Sequence, residues 1–551
     1  MAHERNEGGD GTEASRERVR SRTWWLVTGL LITAFLARGP LYLSVFPPFE
    51  GWDEYQHLGY IAYLDQARRI PVFDESTRVP RAVRPLVITM PHSLSGAEQL
   101  HEWGALSYAE YWAAPAPAAG TGRPPSSSPR LYQAQQPPLA YVVALPIWRA
   151  LKSAHPLAAI YAIRAMNLLL VAAALVLFAG ALTRLVPAFG PRVAVLALVC
   201  LHPLFLQNVA RVANDAFALA TGVAGISLLV LADGRTLLTR GLLAAVCIAV
   251  SVWSKQTSLT LIPALVLGLP LIGRAHGVSA ERVWRVTIAA SAAFLLLVAP
   301  LWLWSYQHYG TIVTTQDSVE LAARGSVVAA LATSFKHMAW VPVVDWLFVP
   351  GRPWVGGWTF LPMNGTLAAL YGWYWGIVLA AAAVGAAVAM LRRPRAVDRA
   401  ASLPRAGGDA IGGLAVCATV VAFTVLGMSY HAVLSHAVFG RVMTTPWYFM
   451  TALPFLFVLL VRGLEAIDRR LASAAAAALA VLFVVIDLYG TWVQMPNAYA
   501  STTDATLQWS RLTSIHPAIL SGDLRWWFLA LQVGALCLVA GGLLHARRVR
   551  A

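Results

Sequence analysis

Residues 158–184 read AAIYAIRAMNLLLVAAALVLFAGALTR, and no charged residue interrupts the run between Arg164 and Arg184. About 20 such residues suffice to cross roughly 30 Å of hydrocarbon as a helix. Comparable runs lie at about 23–46, 192–210, 215–233, 240–254, 258–273, 285–304, 366–391, 410–428, 447–462, 470–489 and 526–544. They predict an all-α polytopic membrane protein with about 12 transmembrane helices, in a range of about 11–13.

The composition agrees. Of 551 residues 58% are hydrophobic and only 13% are charged, about half the usual globular share. The net charge of +15 points away from nucleic acid, because the basic residues fall mostly in short loops between apolar runs, where they set orientation. RERVRSR, TRLVPAFGPR, DGRTLLTR, RAHGVSAERVWR, LRRPRAVDRAASLPR, RGLEAIDRR and HARRVR hold more than half of the 42 Lys and Arg. All of these segments share one side when both termini are cytoplasmic. The four cysteines sit inside apolar runs and read as small buried hydrophobes, with no disulfide framework or zinc site.

This topology divides the chain into a cytoplasmic tail (1–22), a transmembrane core (23–304) containing a first extracytoplasmic loop (47–157), a Trp-rich extracytoplasmic loop (305–365), and C-terminal helices (366–545) with a polar extracytoplasmic loop (490–525). The first loop contains a linker-like stretch, APAPAAGTGRPPSSSPR. It ends in QAQQPPLAYVVALPIWRAL, too short and Pro-broken to span, and suited to lie in the membrane interface. Such a loop carries juxtamembrane helices.

The densest acidic cluster is PPFEGWDEYQHLGY, residues 47–60, just after the first run. If the stretch is helical, Glu50, Asp53, Glu54 and His57 share one face at i, i+3, i+4 and i+7. Such a face repels itself unless a cation or a proton is shared. It reads as an acidic helix start or as a general base, a metal site, or both. A second polar break, VANDAFA, places Asn214 and Asp215 at an external turn, one helical turn after Arg211. Arg164, Arg211, Lys255 and Arg441 all fall at external membrane faces, against the orientation trend. A charge at that depth needs a partner, and four together suggest a site for a lipid phosphate.

The order of these features resembles the glycosyltransferase C (GT-C) superfamily of membrane glycosyltransferases. It is most similar to a bacterial branch related to protein O-mannosyltransferases and to aminoarabinose and arabinofuranose transferases. The matching segments here are PPFEGWDEYQH, QQPPLAYVV, VANDAFA and GRVMTTPWYFMTALP. The resemblance implies a GT-C fold and an inverting enzyme. A polyprenyl-phosphate sugar donates its sugar to a cell-envelope glycan, glycolipid or protein at the outer face of a bacterial cytoplasmic membrane.

By the same resemblance Asp53 is the base and Glu54 supports or replaces it. Glu50, His57, Gln136, Asn214 and Asp215 face substrate, and Arg164, Arg211, Lys255 and Arg441 hold the donor phosphate. Some relatives bind a divalent cation, which the acidic cluster permits without requiring. Two departures stand out: Gln135-Gln136 replace an acidic-basic pair before Pro-Pro, and Val442 stands where an aromatic is usual. Glu50, ahead of the Asp-Glu pair, keeps the choice of base open among Glu50, Asp53 and Glu54. Two other classes fit the composition: a transporter or flippase of lipid-linked saccharide, and a non-catalytic glycan-binding assembly subunit.

Overall fold

The computed structural model describes residues 9–113, 128–324, 327–343, 354–355, 361–362, 365–391, 406–515, 526–527, 529–537 and 540–541. Most of the linker-like stretch, much of the Trp-rich loop and parts of the last predicted span lie outside them. The chain is predominantly helical. Its main helices are α1 (Gly9–Val45), α2 (Glu54–Ala67), α3 (Leu139–Leu151), α4 (Pro156–Leu185), α5 (Phe189–Leu201), α6 (Pro203–Val209), α7 (Asp215–Leu231), α8 (Leu237–Val252), α9 (Ile262–Ala275) and α10 (Ala280–Tyr309). They continue as α11 (Gln316–Arg324), α12 (Val327–His337), α13 (Gly365–Leu391), α14 (Ala406–Phe439), α15 (Leu453–Ile467), α16 (Arg469–Tyr489), α17 (Met495–Ala500) and α18 (Ala505–Ile515).

Among the described residues, six helices are long and apolar enough to cross a bilayer, or seven if the bent pair α5–α6 counts as one span. Length and composition among the described residues thus support six or seven of the 12 predicted spans. Apolar helices α7, α8 and α15 stand where single spans were expected but run for only 17, 16 and 15 residues. Hydropathy marks apolar character and cannot tell a full crossing from a shorter buried helix. The α5–α6 pair bends by 51° at His202-Pro203, as proline, lacking an N–H, requires. Two small ladders interrupt the all-α expectation: Pro91–His92 pairs in parallel with Leu106–Ser107, and Trp354–Val355 pairs antiparallel with Leu361–Pro362.

Helix α7 packs between α4 and α8, α9 lies against α14, and α5 against α16. Where α13 meets α15, a Cβ on Gly385 would fall 1.8 Å from the Gly463 carbonyl oxygen. Only glycine allows the two backbones this close, the small-residue contact common between membrane helices. Arg38 of α1 is clamped to Asp487 of α16 through two 2.8 Å contacts, and both side chains are 3% exposed. Arg38 also donates to the Cys200 carbonyl at 2.7 Å. A buried charge held this way satisfies the demand that apolar surroundings impose.

The segment predicted as the first extracytoplasmic loop is itself folded where described. Helix α2 is buried along most of its length and packs on α3. Helix α3 buries Ala140, Tyr141, Ala144 and Trp148, so the predicted interfacial helix turns one face to protein. The loop predicted at 490–525 is largely helical through α17 and α18 where described. It reaches back to the first loop, for the Trp112 indole donates to the Tyr499 carbonyl at 2.8 Å.

Candidate active site

Four chain breaks meet at one end of the helical bundle: the α1–α2 loop, the segment between α6 and α7, the corner after α8, and the turn Pro446–Phe449. Helix α2 begins at Glu54, so Glu50 and Asp53 precede it. The predicted shared helix face therefore does not form. Asp53 adopts φ 58° and Phe49 φ 68°, both left-handed. Such backbone is costly for side-chain-bearing residues, least so for Asp, and gathers at functional sites. The turn sends the adjacent carboxylates of Asp53 and Glu54 in different directions.

Glu54 points into protein. Its Oε1 accepts from Arg164 Nε at 2.7 Å and from the Val212 amide at 2.8 Å. Its Oε2 accepts from Arg164 Nη2 at 2.5 Å and from the Phe49 amide at 2.8 Å. Arg164 also donates to the carbonyls of Phe46 and Pro47. Both side chains are 0% exposed. Four donors saturate the carboxylate, and the fork of the guanidinium is fully used. The pair is a scaffold that ties the loop to α4 and to the α6–α7 break. Gly51 lies in the same tight turn, where a Cβ would meet the Arg211 Cβ at 2.9 Å.

Asp53 points the other way and stays partly exposed. The Tyr132 hydroxyl donates to its Oδ1, and Gln133 Nε2 donates to its Oδ2 at 3.0 Å. Burial pushes the Asp53 carboxyl up from its ordinary value, opposed by the Tyr132 hydrogen bond, Arg211 and Lys255, and reinforced by Asp215. Burial likewise lifts the Tyr132 phenol far above its usual range, aided by Asp53. A carboxylate with this balance of burial and fixed donors suits a proton acceptor near neutral pH.

Asp215 opens α7 and holds two cations. Arg211 Nη2 lies 2.9 Å from its Oδ2, and Lys255 Nζ lies 2.5 Å from its Oδ1. Arg211 is 2% exposed and also bonds the Trp52 carbonyl and the Asn208 side chain. Lys255 lies over the Tyr448 ring at 5.0 Å. Trp52 is sandwiched, with the Arg211 guanidinium 4.9 Å from its ring centre and Trp447 stacked 4.0 Å away at 10°. Asn214 Nδ2 donates to Gln136 Oε1 at 3.1 Å and to the Ser254 carbonyl at 2.8 Å.

The structure thus gathers Asp53, Asp215, Arg211, Lys255, Asn214 and Gln136. Glu50 is buried and accepts the Tyr108 hydroxyl at 2.8 Å. His57 shares a 2.8 Å hydrogen bond with Tyr141. Burial first and Arg211 second press His57 well below its usual titration range, so it is neutral and brings no charge to the acidic cluster. Three of the four expected phosphate-binding cations are engaged with carboxylates. Arg441 is exposed and makes no hydrogen bond or ion pair within the described residues.

A hard divalent cation needs several oxygen ligands with free lone pairs. Glu54 is saturated by its four donors, whereas Asp53, bonded to Tyr132 and Gln133, and Asp215, bonded to Arg211 and Lys255, each keep a lone pair on both oxygens. Among the described residues no three His, Cys, Asp or Glu side chains gather to hold a metal. The positive charge beside Asp215 is that of Arg211 and Lys255.

Tyr132, Gln133, Trp52, Trp447 and Tyr448 escape the sequence reading. The signals were slight: LYQAQ precedes the Pro-Pro segment, and PWY lies within the late motif.

No family model matches the chain, and no curated protein matches it. Among solved structures it is similar to the apo crystal structure of the Archaeoglobus fulgidus oligosaccharyltransferase, at TM-score 0.43 and 14% identity over 92% of this chain and 60% of that one. A second is the archaeal oligosaccharyltransferase AglB from Archaeoglobus fulgidus in complex with an inhibitory peptide and a dolichol-phosphate, at TM-score 0.39 and 14% identity over 93% of this chain and 60% of that one. The chain spans about 60% of the length of these proteins.

Proposed function

We propose that the chain is an integral membrane glycosyltransferase of the GT-C kind. In this reading it moves a sugar from a polyprenyl-phosphate donor to a hydroxyl-bearing acceptor of the cell envelope. One observation carries the reading: of two adjacent carboxylates, Glu54 is locked to Arg164, while Asp53 is turned out beside Asp215 and Lys255. Ordered motifs from distant parts of the sequence converge on that point.

The reaction needs a proton acceptor and a stabiliser of a leaving phosphate. The acceptor hydroxyl gives its proton to Asp53 as its oxygen attacks the anomeric carbon. The bond from that carbon to the phosphate oxygen breaks, the electron pair leaves on phosphate, and configuration inverts. Tyr132 and Gln133 fix the orientation of the Asp53 carboxylate. Lys255 and Arg441 take the charge developing on phosphate, because fixed cations stabilise it without reorganisation. Arg164 and Arg211 act as positioning residues, and Glu54 supports the base by shaping its turn. The extracytoplasmic face and a bacterial cytoplasmic membrane follow from the distribution of basic residues and from the motif resemblance.

The test is transfer of label from radiolabelled polyprenyl-phosphate sugars in membranes containing wild type or Asp53→Asn. Transfer by wild type, reduced roughly 10²–10⁴-fold in the well-folded variant, is expected of a lost general base. Undiminished transfer by Asp53→Asn would refute the assignment. Absence of transfer by wild type across pentosyl and hexosyl donors would favour the transporter or assembly-subunit alternatives.

A further inference from the structure

Two buried amide oxygens, one on Gln133 beside Asp53 and one on Asn214 beside Gln136, have no donor. Gln133 is 7% exposed and Asn214 is 1% exposed. Gln133 Oε1 and Asn214 Oδ1 are both buried without a hydrogen-bond partner. Their identity as acceptors follows from the other half of each amide. Gln133 Nε2 donates to the Asp53 carboxylate, and Asn214 Nδ2 donates to two oxygens. Flipping either amide would set oxygen against oxygen. Buried polar atoms are rarely left unmatched, and one in a site calls for an explanation.

The chemistry of the missing partner is constrained. It must present N–H or O–H groups to these oxygens. A phosphate or carboxylate presents further acceptors and is repelled. The donor phosphate proposed to meet Lys255 and Arg441 is therefore not the partner of these two oxygens. Half-buried Trp447, stacked by one face on the buried Trp52, offers a flat apolar surface against which a sugar ring packs.

Resting on the glycosyltransferase reading above, we propose that Gln133 and Asn214 form a hydroxyl-recognition pair. It grips ring hydroxyls of the sugar whose reacting centre lies at Asp53 and decides which sugars are accepted. A site built around a hydroxyl discriminates strongly against an analogue that lacks it, because its buried acceptors are then left unmatched.

The experiment uses the full chain in nanodiscs. Wild type, Gln133→Leu and Asn214→Leu are offered a polyprenyl-phosphate hexose or pentose that wild type transfers, its singly deoxygenated analogues, and bare polyprenyl phosphate as a binding control. Methyl glycosides and their deoxy forms serve as acceptors in a second arm. Wild type should lose at least tenfold in kcat/KM on removal of one hydroxyl. A leucine variant should show that loss with the parent sugar already, and little more with the deoxy one. Bare polyprenyl phosphate should bind all three proteins alike. Non-additivity in the donor arm assigns the pair to the transferred sugar, and in the acceptor arm to the receiving one; either supports the proposal. Leucine variants that slow parent and deoxy substrates equally would overturn it while leaving the transferase reading intact. A wild type that neither binds nor transfers any sugar lipid would end both.

Discussion

Replacing Arg164 by methionine strands the Glu54 carboxylate in a shell that water does not reach. The side chain it loses makes four hydrogen bonds, two to Glu54 and two to the carbonyls of Phe46 and Pro47. Breaking a buried pair by removing one partner costs about 3–5 kcal/mol. For a cooperative unit of about 250 residues that corresponds to a fall in Tm of roughly 6–10 °C. Glu54→Gln strands the guanidinium instead and should cost a similar amount. The double variant strands no charge and loses only hydrogen bonds, at about 1 kcal/mol each. It should be no less stable than either single variant. Thermal unfolding of the four proteins in one detergent measures this cycle, with transfer rates recorded in parallel. Additive losses would refute the scaffold. So would a Glu54→Gln protein with unchanged Tm and transfer reduced a hundredfold, which is how a base behaves.

Other consequences are open to direct measurement. Transfer should fall as pH falls through the Asp53 pKa, because the base must be ionised. Burial raises that value, so the acid limb of kcat/KM should lie above the ordinary aspartate value of about 3.9; a limb at or below it would contradict the geometry. Chelation of divalent cations should leave the transfer rate within about twofold, since no three His, Cys, Asp or Glu side chains gather to hold a metal among the described residues, and abolition by a chelator restored by Mn²⁺ or Mg²⁺ would overturn that reading. Gly51→Ala should destabilise by about 1–3 kcal/mol, the usual cost of overpacking, because its Cβ would lie 2.9 Å from Arg211. An alanine variant with wild-type Tm would show that the turn yields easily.

The helices were legible because apolar runs are long and the membrane leaves the backbone few alternatives. Their number of crossings was less so, since α7, α8 and α15 are as apolar as spans but run for only 17, 16 and 15 residues, and hydropathy alone does not fix whether such a helix crosses. Arg164, Arg211 and Lys255 stood out as charges at the membrane edge, Asp53 as part of a dense acidic cluster and Asp215 as a polar break between apolar runs, and the structure brings Asp53, Arg211, Asp215 and Lys255 to one place. What they do to one another could not be read. Arg164 needs a partner, and Glu54, 110 positions earlier, is that partner, yet nothing local links them. A shared acidic face would require a helix through Glu50, but helix α2 begins at Glu54. A left-handed Asp53 breaks that face and separates carboxylates that the pattern placed together. Tyr132 and Gln133 follow a linker and carry no periodic signal, so only the folded loop brings them to Asp53.

The clamp between Arg38 and Asp487 joins residues 449 positions apart. Synthesis runs in one direction, so α1 is made and placed long before α16 exists. For most of that interval its guanidinium has no counter-ion, and an isolated arginine inside a bilayer is costly. A first helix made alone carries that guanidinium without its carboxylate until the far end of the chain arrives. Chains truncated before Arg469 never receive that counter-ion. The pair makes completion of the polypeptide a condition for settling its beginning, so an interrupted chain leaves its first helix unfinished.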